Sequence, residues 1–315
     1  MNRAKYFDII GVGKAYVDET AVVDKTFVEK FAIPVDGSKL FRRPLLEEIR
    51  RQVSVVDCRP GGSVANSLCT SAHLGSSVGF FGKIGNDPNG EMYLIDMRKR
   101  GIPWLCDPNT VTSRPTALCI ILHVPECPDV RSIAYDDGCS EDFECSDFNN
   151  FDLVRPNILL IEGQLFVSRR KKEAIQNLLQ MANGKCQIAV TLSGVANWNK
   201  HGRSAELIAR NADIICGNSI EVEAFFSIVD SECKCATDQI VIKTMGKNGV
   251  LARSNSENYH QAAVHPIKIS SGTGAGDAFL GAYLYATAQS MPIGKCLEIG
   301  AQAATRVLES VGGRL

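Results

Sequence analysis

Four consecutive residues near the carboxyl end, Gly274, Ala275, Gly276 and Asp277, combine small side chains with one carboxylate. Without bulky side chains their backbone amides can approach a ligand closely, and free amides at a helix N-terminus attract anions. A carboxylate beside such an anion site can accept the proton of a bound hydroxyl. The segment therefore predicts phosphate binding next to a general base, as phosphoryl transfer to an alcohol requires.

A helix must begin within this segment for its amides to be free. Phe279, Ala282 and Tyr283 recur at three- and four-residue spacing until Pro292 ends the pattern, so the sequence predicts a helix here. Asp277 then lies in the first turn. There we expect the helix dipole to lower the pKa of its carboxyl group and to keep it ionised.

The motif at residues 274–279 (GAGDAF) resembles the C-terminal signature of the ribokinase-like, PfkB-type sugar and nucleoside kinases. The N-terminal signature of that family resembles residues 61–66 (GGSVAN) followed by residues 82–90 (GKIGNDPNG). Two further family motifs match residues 218–221 (N-x-x-E) and 244–249 (TMG-x-x-G). The motifs follow the family's order, and the resemblance extends over nearly the whole chain.

The resemblance implies an enzyme that transfers the γ-phosphoryl group of ATP to an acceptor hydroxyl. Asp277 would be the base that takes the hydroxyl proton. The backbone amides of Gly274, Ala275 and Gly276 would form the anion hole around the migrating group.

The acceptor would be bound by a second group of residues. Asp18 and Asn66 would hold its vicinal hydroxyls, because carboxylate and amide side chains are good hydrogen-bonding partners for a diol. Gly61 and Gly62 would let the backbone come close to it.

ATP and Mg²⁺ are the cofactors that the resemblance implies, with K⁺ as an optional further cation. Asn218 and Glu221 would order Mg²⁺ and its waters. Thr244, Gly246 and Gly249 would line the nucleotide site, where Asn218 would also contribute.

The acceptor expected from the sequence is a nucleoside. Residues 21–27 (AVVDKTF) and 131–134 (RSIA) resemble adenosine kinases more than ribokinases or fructokinases. On that comparison Tyr16, Ile133 and Tyr135 would face a base-binding pocket, where aromatic and branched side chains could enclose a purine. We therefore predict phosphorylation at the 5′-hydroxyl of adenosine, while other nucleosides and a ribose- or fructose-type sugar stay open as alternatives.

Two positions bear on the charge around the phosphates. Arg131 would reach them from the lid, as a lid arginine does in adenosine kinases. Ser271 departs from the family pattern, which has an aspartate at this place before Gly-Ala-Gly-Asp. A neutral hydroxyl offers a hard cation fewer donor oxygens and no charge, so we expect a weaker cation site here.

Short apolar runs alternate with helical patterns along the chain, for example around residues 172–181 and 205–210. This alternation predicts an α/β fold with a mostly parallel central sheet covered by helices on both faces, a three-layer ribokinase-like architecture. Ligands bind beyond the carboxyl ends of the strands in such sheets. The predicted strands cover residues 7–13, 78–81, 158–161, 188–192, 213–216 and 240–243.

Two regions break this alternation, at about residues 17–56 and 116–137. The second resembles a hairpin with a turn at residues 125–129. Kinases of the family build a small β-sheet lid from these two places. We therefore predict a single kinase domain over residues 1–315 with a discontinuous lid that shields the reacting phosphoryl group from water.

The composition fits a cytoplasmic enzyme. The chain has 315 residues and a formal net charge of −1, so no global charge draws it to nucleic acid or to an anionic membrane. We expect a small-molecule nucleoside or sugar as its partner and a monomer or homodimer as its state. Cys119 lies in an apolar run, where cysteine acts as a small hydrophobe.

Two other classes of function fit the sequence less well. A nicotinamide-dependent dehydrogenase needs Gly-x-Gly-x-x-Gly after the first strand, and residues 11–16 (GVGKAY) lack the third glycine. A catalytically weak nucleoside-binding protein could do without the base, whereas Asp277 is present. Both comparisons favour the kinase.

Overall fold

The computed structural model describes residues 4–106, 112–127, 131–194, 198–229, 239–254, 257–269, 272–310 and 313–315. Within them the β-strands are, in chain order, β1 (Lys5–Val12), β2 (Tyr16–Val22), β3 (Gly37–Leu40), β4 (Val55–Pro60), β5 (Val78–Phe81), β6 (Ala117–His123), β7 (Ser132–Asp136), β8 (Val154–Glu162), β9 (Gln187–Thr191), β10 (Ile214–Asn218), β11 (Ile240–Thr244), β12 (Val250–Ser254) and β13 (Glu257–Gln261). The α-helices are α1 (Lys25–Lys30), α2 (Arg43–Arg51), α3 (Ser63–His73), α4 (Pro88–Lys99), α5 (Arg169–Ala182), α6 (Gly202–Asn211), α7 (Ser219–Ile228), α8 (Ala275–Ala288) and α9 (Ile293–Glu309).

The main sheet has eight strands in the order β13-β12-β11-β10-β9-β8-β1-β5. The strands from β11 to β5 in this order are parallel, while β12 and β13 are added antiparallel at one edge. All six predicted strands are present in this sheet, and the predicted helical patterns at 172–181 and 205–210 lie in α5 and α6. The predicted α/β fold is therefore confirmed.

Successive residues of β1 point to opposite faces of the sheet and pack into two separate cores. Ile9 lies in a buried cluster with Leu68 of α3 and Phe279 of α8. Ile10 lies in another with Ile175 of α5. Because side chains alternate along a strand, an unbroken apolar run such as that of β1 needs helices on both faces of the sheet, which gives three layers.

A second sheet of five strands, in the order β3-β7-β6-β2-β4, forms the lid. Its strands span residues 16–60 and 117–136, so the first lid segment reaches four residues beyond the predicted end at 56. The predicted hairpin at 116–135 is present as antiparallel β6 and β7, although residues 128–130, at the end of its turn and the start of its second arm, lie outside the described part of the chain. Helices α1 and α2, which the sequence did not predict, cover one face of the lid through buried Val28 and Leu46.

Helices α3 and α8 cross at close range, which brings the two signature motifs together. A Cβ atom added at Gly281 of α8 would lie 2.1 Å from the carbonyl oxygen of Ser67 in α3. The Ser71 hydroxyl also donates a 2.8 Å hydrogen bond to the carbonyl oxygen of Gly281. Only glycine fits this crossing without a shift of one helix.

We expect Gly281→Ala to lower the free energy of unfolding by about 1–3 kcal/mol, the usual cost of overpacking a close contact. Gly294→Ala is the matched control, because Gly294 is also helical but nothing lies within 4 Å of an added Cβ. That control should be neutral or stabilising by a few tenths of a kcal/mol. Urea unfolding of both variants measures the difference, and equal midpoints would contradict the close packing of α3 on α8.

Among the described residues, no helix combines the length and the apolar character that crossing a membrane requires.

Candidate active site

The N-termini of α3 and α8 begin side by side, although Ser63 and Asp277 are 214 residues apart in the chain. Gly274 precedes α8 in the left-handed conformation, with φ of 79°. An added Cβ there would meet the backbone of Gly313 at 2.4 Å, so a side chain is excluded by conformation and by contact. The predicted helix start is confirmed, with Asp277 in its first turn.

Asp277 is half-buried and accepts hydrogen bonds from two residues of α3. The Asn66 side-chain amide donates to it at 2.9 Å, and the Ser63 hydroxyl donates to its other oxygen. The predicted lowering of its pKa was wrong. Burial raises the pKa of Asp277 and outweighs the hydrogen bonds and the charges of Arg314 and Arg131, which act in the opposite direction.

Asp18 lies within β2 of the lid, shortly after β1 of the main sheet. Its carboxyl group accepts a hydrogen bond from the thiol of Cys119, its neighbour on β6. Burial raises the pKa of Asp18 to about 7, and the nearby charge of Asp277 adds to the rise while Arg314 opposes it. Gly61 lies so close that an added Cβ would be 2.0 Å from an Asp18 oxygen. The structure thus gathers Asp18, Gly61 and Asp277 into one region.

The predicted lid residues Tyr16, Ile133 and Tyr135 share the face of the lid that carries Asp18, as the strand register requires. The rings of Tyr16 and Tyr135 meet edge to face, with centroids 6.2 Å apart and an interplanar angle of 82°. The Tyr16 hydroxyl donates to the Asp137 carboxylate. The two tyrosines therefore contact each other and do not form a pair of parallel walls.

A buried network of charges anchors this end of the lid. Lys14 Nζ forms a 2.7 Å ion pair with Asp137, and Lys171 lies 3.8 Å from the same carboxylate. The Lys14 backbone amide donates to Glu162 at 2.7 Å. Although burial acts to raise the pKa of Asp137, Lys14 holds it below its usual range. Burial raises the pKa of Glu162 to about 7.

A cleft of 440 Å³ adjoins the start of α8. Its lining contains five residues that were predicted to contact ATP or its phosphates: Thr244, Gly246, Gly249, Ala275 and Gly276. A larger cavity of 910 Å³ opens at the amino ends of β8, β9 and β10, on the opposite edge of the sheet, and none of the predicted site residues lines it. The smaller cleft is therefore the candidate nucleotide site.

Arg131 spans from the lid to this region, where its guanidinium group donates to the Thr273 hydroxyl beside Gly274. Asn218 and Glu221 do not line the cleft. They form a capping box at the start of α7, in which each side chain accepts a 2.9 Å hydrogen bond from the backbone amide of the other. Burial raises the pKa of Glu221, and the charge of Asp277 contributes to the rise.

Sequence reasoning missed three residues of the site. Ser63 belongs to the GGSVAN motif and contacts Asp277, so its position could have suggested a role. Cys119 contacts Asp18 instead of acting only as a strand hydrophobe. Arg314 carries no motif signal, yet it contacts Asn66 and Gly61. Ser271, where a weaker cation site was predicted, lies outside the described residues.

Comparison with known proteins decides the family. A model of the pfkB family of carbohydrate kinases matches residues 31–315. The chain belongs to the pfkB family of carbohydrate kinases. Enzymes of this family are phosphotransferases that use ATP with Mg²⁺, so the predicted enzyme class and these two cofactors are confirmed for this chain.

The similar proteins bear the names of sugar kinases and of adenosine kinases. The 5-dehydro-2-deoxygluconokinase of Bacillus subtilis is 26% identical over 98% of this chain and 91% of its own length. A probable sugar kinase from Rhizobium etli has a TM-score of 0.88 at 26% identity and covers 100% of this chain and 96% of its own. The adenosine kinase of Sinorhizobium meliloti also reaches a TM-score of 0.88, at 24% identity over 98% and 96%, which is evidence of the shared fold alone.

Proposed function

We propose that this kinase phosphorylates a hydroxyl of a small sugar or sugar acid in preference to a nucleoside. The observation that carries the proposal is the relative orientation of the Tyr16 and Tyr135 rings. A purine is enclosed best by apolar walls that are parallel to its ring, whereas these two rings meet at 82°. The Tyr16 hydroxyl is moreover held by Asp137, which belongs to a buried charged network. A polar acceptor suits these surroundings better than a base.

The reaction needs an oriented hydroxyl, a base and positive potential around the migrating phosphoryl group. Asp18 and the Asn66 amide would bind acceptor hydroxyls, and Asp277 would take the proton as the hydroxyl oxygen attacks the γ-phosphorus. The raised pKa of Asp277 suits this role, because a base titrating closer to the working pH transfers protons more effectively.

The γ-phosphoryl group would lie at the start of α8. The amides of Gly274, Ala275 and Gly276 would donate to its oxygens, and Arg131 would add positive charge from the lid. Arg131 contacts Thr273 in this loop, so its guanidinium group would be within reach of an anion bound there. Thr244, Gly246 and Gly249 would bind the rest of the nucleotide along the 440 Å³ cleft.

Mg²⁺ would shield the phosphate charges and orient them for transfer. Within the described residues no group of three His, Cys, Asp or Glu side chains could hold a metal ion without other ligands. A single carboxylate with water ligands is enough for Mg²⁺, which keeps several waters and uses one or two carboxylates together with substrate phosphates. Glu221 is the carboxylate that we assign to this role, through water, with Asn218 fixing its orientation.

The names of the relatives agree with a sugar acceptor. Several bacterial relatives that cover nearly the whole chain are 5-dehydro-2-deoxygluconokinases, at 24–26% identity. Adenosine, the acceptor predicted from the lid motifs, is the competing candidate, and its kinases share the fold of this chain.

Specificity constants for a panel of acceptors test the proposal, with ADP formation followed at saturating MgATP. The panel contains 5-dehydro-2-deoxygluconate, ribose, fructose and adenosine. We expect at least one sugar or sugar acid to exceed adenosine by about tenfold or more, the scale on which pocket contacts discriminate substrates. A larger specificity constant for adenosine than for every sugar would overturn the proposal and restore the nucleoside interpretation.

A further inference from the structure

The short segment at residues 313–315 returns from α9 to the candidate active site. Gly313 packs against Gly274 at the start of α8. The side chain of Arg314 is only 6% exposed and lies between α3 and α4. An arginine this deeply buried needs partners for its donors, since an unpaired buried charge is strongly destabilising.

The partners of Arg314 divide into an anchoring pair and a pair in the acceptor site. On the anchoring side its guanidinium group pairs with Asp96 and lies over the ring of Tyr93, with its carbon 5.6 Å from the ring centroid. On the other side Nε donates to Asn66 Oδ1 at 2.8 Å, and Nη2 donates to the carbonyl oxygen of Gly61 at 2.9 Å. A planar fork of donors can make all of these contacts at once, which an ammonium group cannot.

The contact with Asn66 fixes which end of its amide faces the base. Because Oδ1 accepts from Arg314, Nδ2 must point the other way, where it donates to Asp277 at 2.9 Å. Without the arginine, the amide could turn and present its oxygen to the Asp277 carboxylate, where two acceptors would repel. The arginine thus determines a hydrogen bond that it does not itself make.

The contact with Gly61 fixes the loop between β4 and α3, which would bind the acceptor. The Gly61 carbonyl oxygen accepts from Arg314 and also from the Tyr93 hydroxyl, at 2.7 Å, so both of its lone pairs have donors. The Gly61 amide donates to the carbonyl oxygen of Tyr16 at 2.8 Å. Gly61 is therefore held from both sides against Asp18, in the place where an acceptor hydroxyl would bind.

We propose that Arg314 is a positioning residue of the phosphoryl transfer, which orients Asn66 toward Asp277 and holds Gly61 against Asp18 through its anchor on Asp96. The inference rests on the proposed role of Asp277 as the base and not on the identity of the acceptor.

The charge of Arg314 also acts on the base. Within the described part of the chain, the charged and titratable groups that interact electrostatically with Asp277 are the cations Arg131 and Arg314, the acids Asp18 and Glu221, and the Cys216 thiol. Arg314 favours the ionised form of Asp277, so its removal should raise the pKa of the base further. Arg314 opposes the raised pKa of Asp18 in the same way. The acid limb of the kcat/KM profile, to which both carboxyl groups contribute, would then move to higher pH.

Arg314→Gln, Arg314→Lys and Arg100→Gln separate these effects. We expect Arg314→Gln to lower kcat/KM by about tenfold to a hundredfold, the scale of a misplaced reacting group, and to move the acid limb upward. Arg314→Lys should keep the limb near that of the wild type while kcat/KM stays low, because the charge remains and the fork is lost. Arg100→Gln is the control, since Arg100 also contacts Asp96, at 3.2 Å, and the Leu315 main-chain oxygen, at 2.7 Å.

The position of the acid limb distinguishes the proposed effect from a loss of folded protein, because a smaller folded fraction lowers the rate without moving the limb. A wild-type profile and rate for Arg314→Gln would overturn the inference, and so would an equal shift in Arg100→Gln. Asp277→Asn distinguishes a failure of the base assignment from a failure of the role proposed for Arg314. If that variant keeps its rate, the base assignment fails. If it is inactive while Arg314→Gln behaves as wild type, only the role of Arg314 fails.

Discussion

Asp277→Asn should reduce kcat by about a hundredfold or more while the protein still binds ATP and the acceptor, since a lost general base costs 10²–10⁴-fold. An amide cannot take the proton of the attacking hydroxyl, but it has the shape of the carboxylate and can still contact Ser63. The effect should be confined to the chemical step, because the neighbouring α8 amides that would bind phosphate are unchanged.

Steady-state rates and calorimetric binding of MgATP and the acceptor, measured on the same preparation, test this expectation. Asp152→Asn is a suitable control, because Asp152 is an exposed carboxylate outside the candidate site. Wild-type turnover in Asp277→Asn, with both ligands bound, would exclude Asp277 as the base.

Asp18→Ala should raise the acceptor KM by roughly tenfold to a hundredfold and leave the KM for ATP nearly unchanged. A hydrogen bond to a charged group contributes about 1.5–3 kcal/mol, and Asp18 would make at least one to the acceptor. Thr20→Ala is the matched control, because Thr20 lies on the same face of β2, two residues further along. An unchanged acceptor KM in Asp18→Ala would remove Asp18 from the binding site.

The same carboxyl group predicts a pH dependence of binding. Because burial raises the pKa of Asp18 to about 7, its ionised form, the better acceptor of hydrogen bonds, is lost as the pH falls through 7. The acceptor KM of the wild type should therefore rise below pH 7. Asp18→Ala should lack this rise, and an identical pH dependence in both proteins would refute the assignment.

The sequence was sufficient for the fold and for the helix start at Gly274–Asp277, because both leave local patterns. Apolar runs such as Ile9 and Ile10 in β1 must be covered on two faces, which predicts the three layers. The glycines of the GAGDAF motif mark a helix start whatever else surrounds them. These features depend on neighbours in the chain and can be inferred from it.

Features that depend on distant contacts could not be inferred in this way. The helix dipole suggested a low pKa for Asp277, but burial, which is set by the whole fold, raises it. The position of Arg314 beside Asn66 depends on the return of the chain after α9, for which the residue types give no signal. The mutual angle of Tyr16 and Tyr135 likewise follows from lid packing, and this angle is the reason that we propose a sugar acceptor and not a nucleoside.

The fate of the labelled phosphoryl group of [γ-³²P]ATP tests phosphoryl transfer to a sugar most directly. The wild-type enzyme would be incubated with MgATP and equal concentrations of 5-dehydro-2-deoxygluconate, ribose, fructose and adenosine, and the labelled products separated. The label should appear predominantly in a sugar or sugar-acid phosphate, in an amount equal to the ADP formed. Label found mainly in AMP, or only in inorganic phosphate, would contradict a sugar kinase.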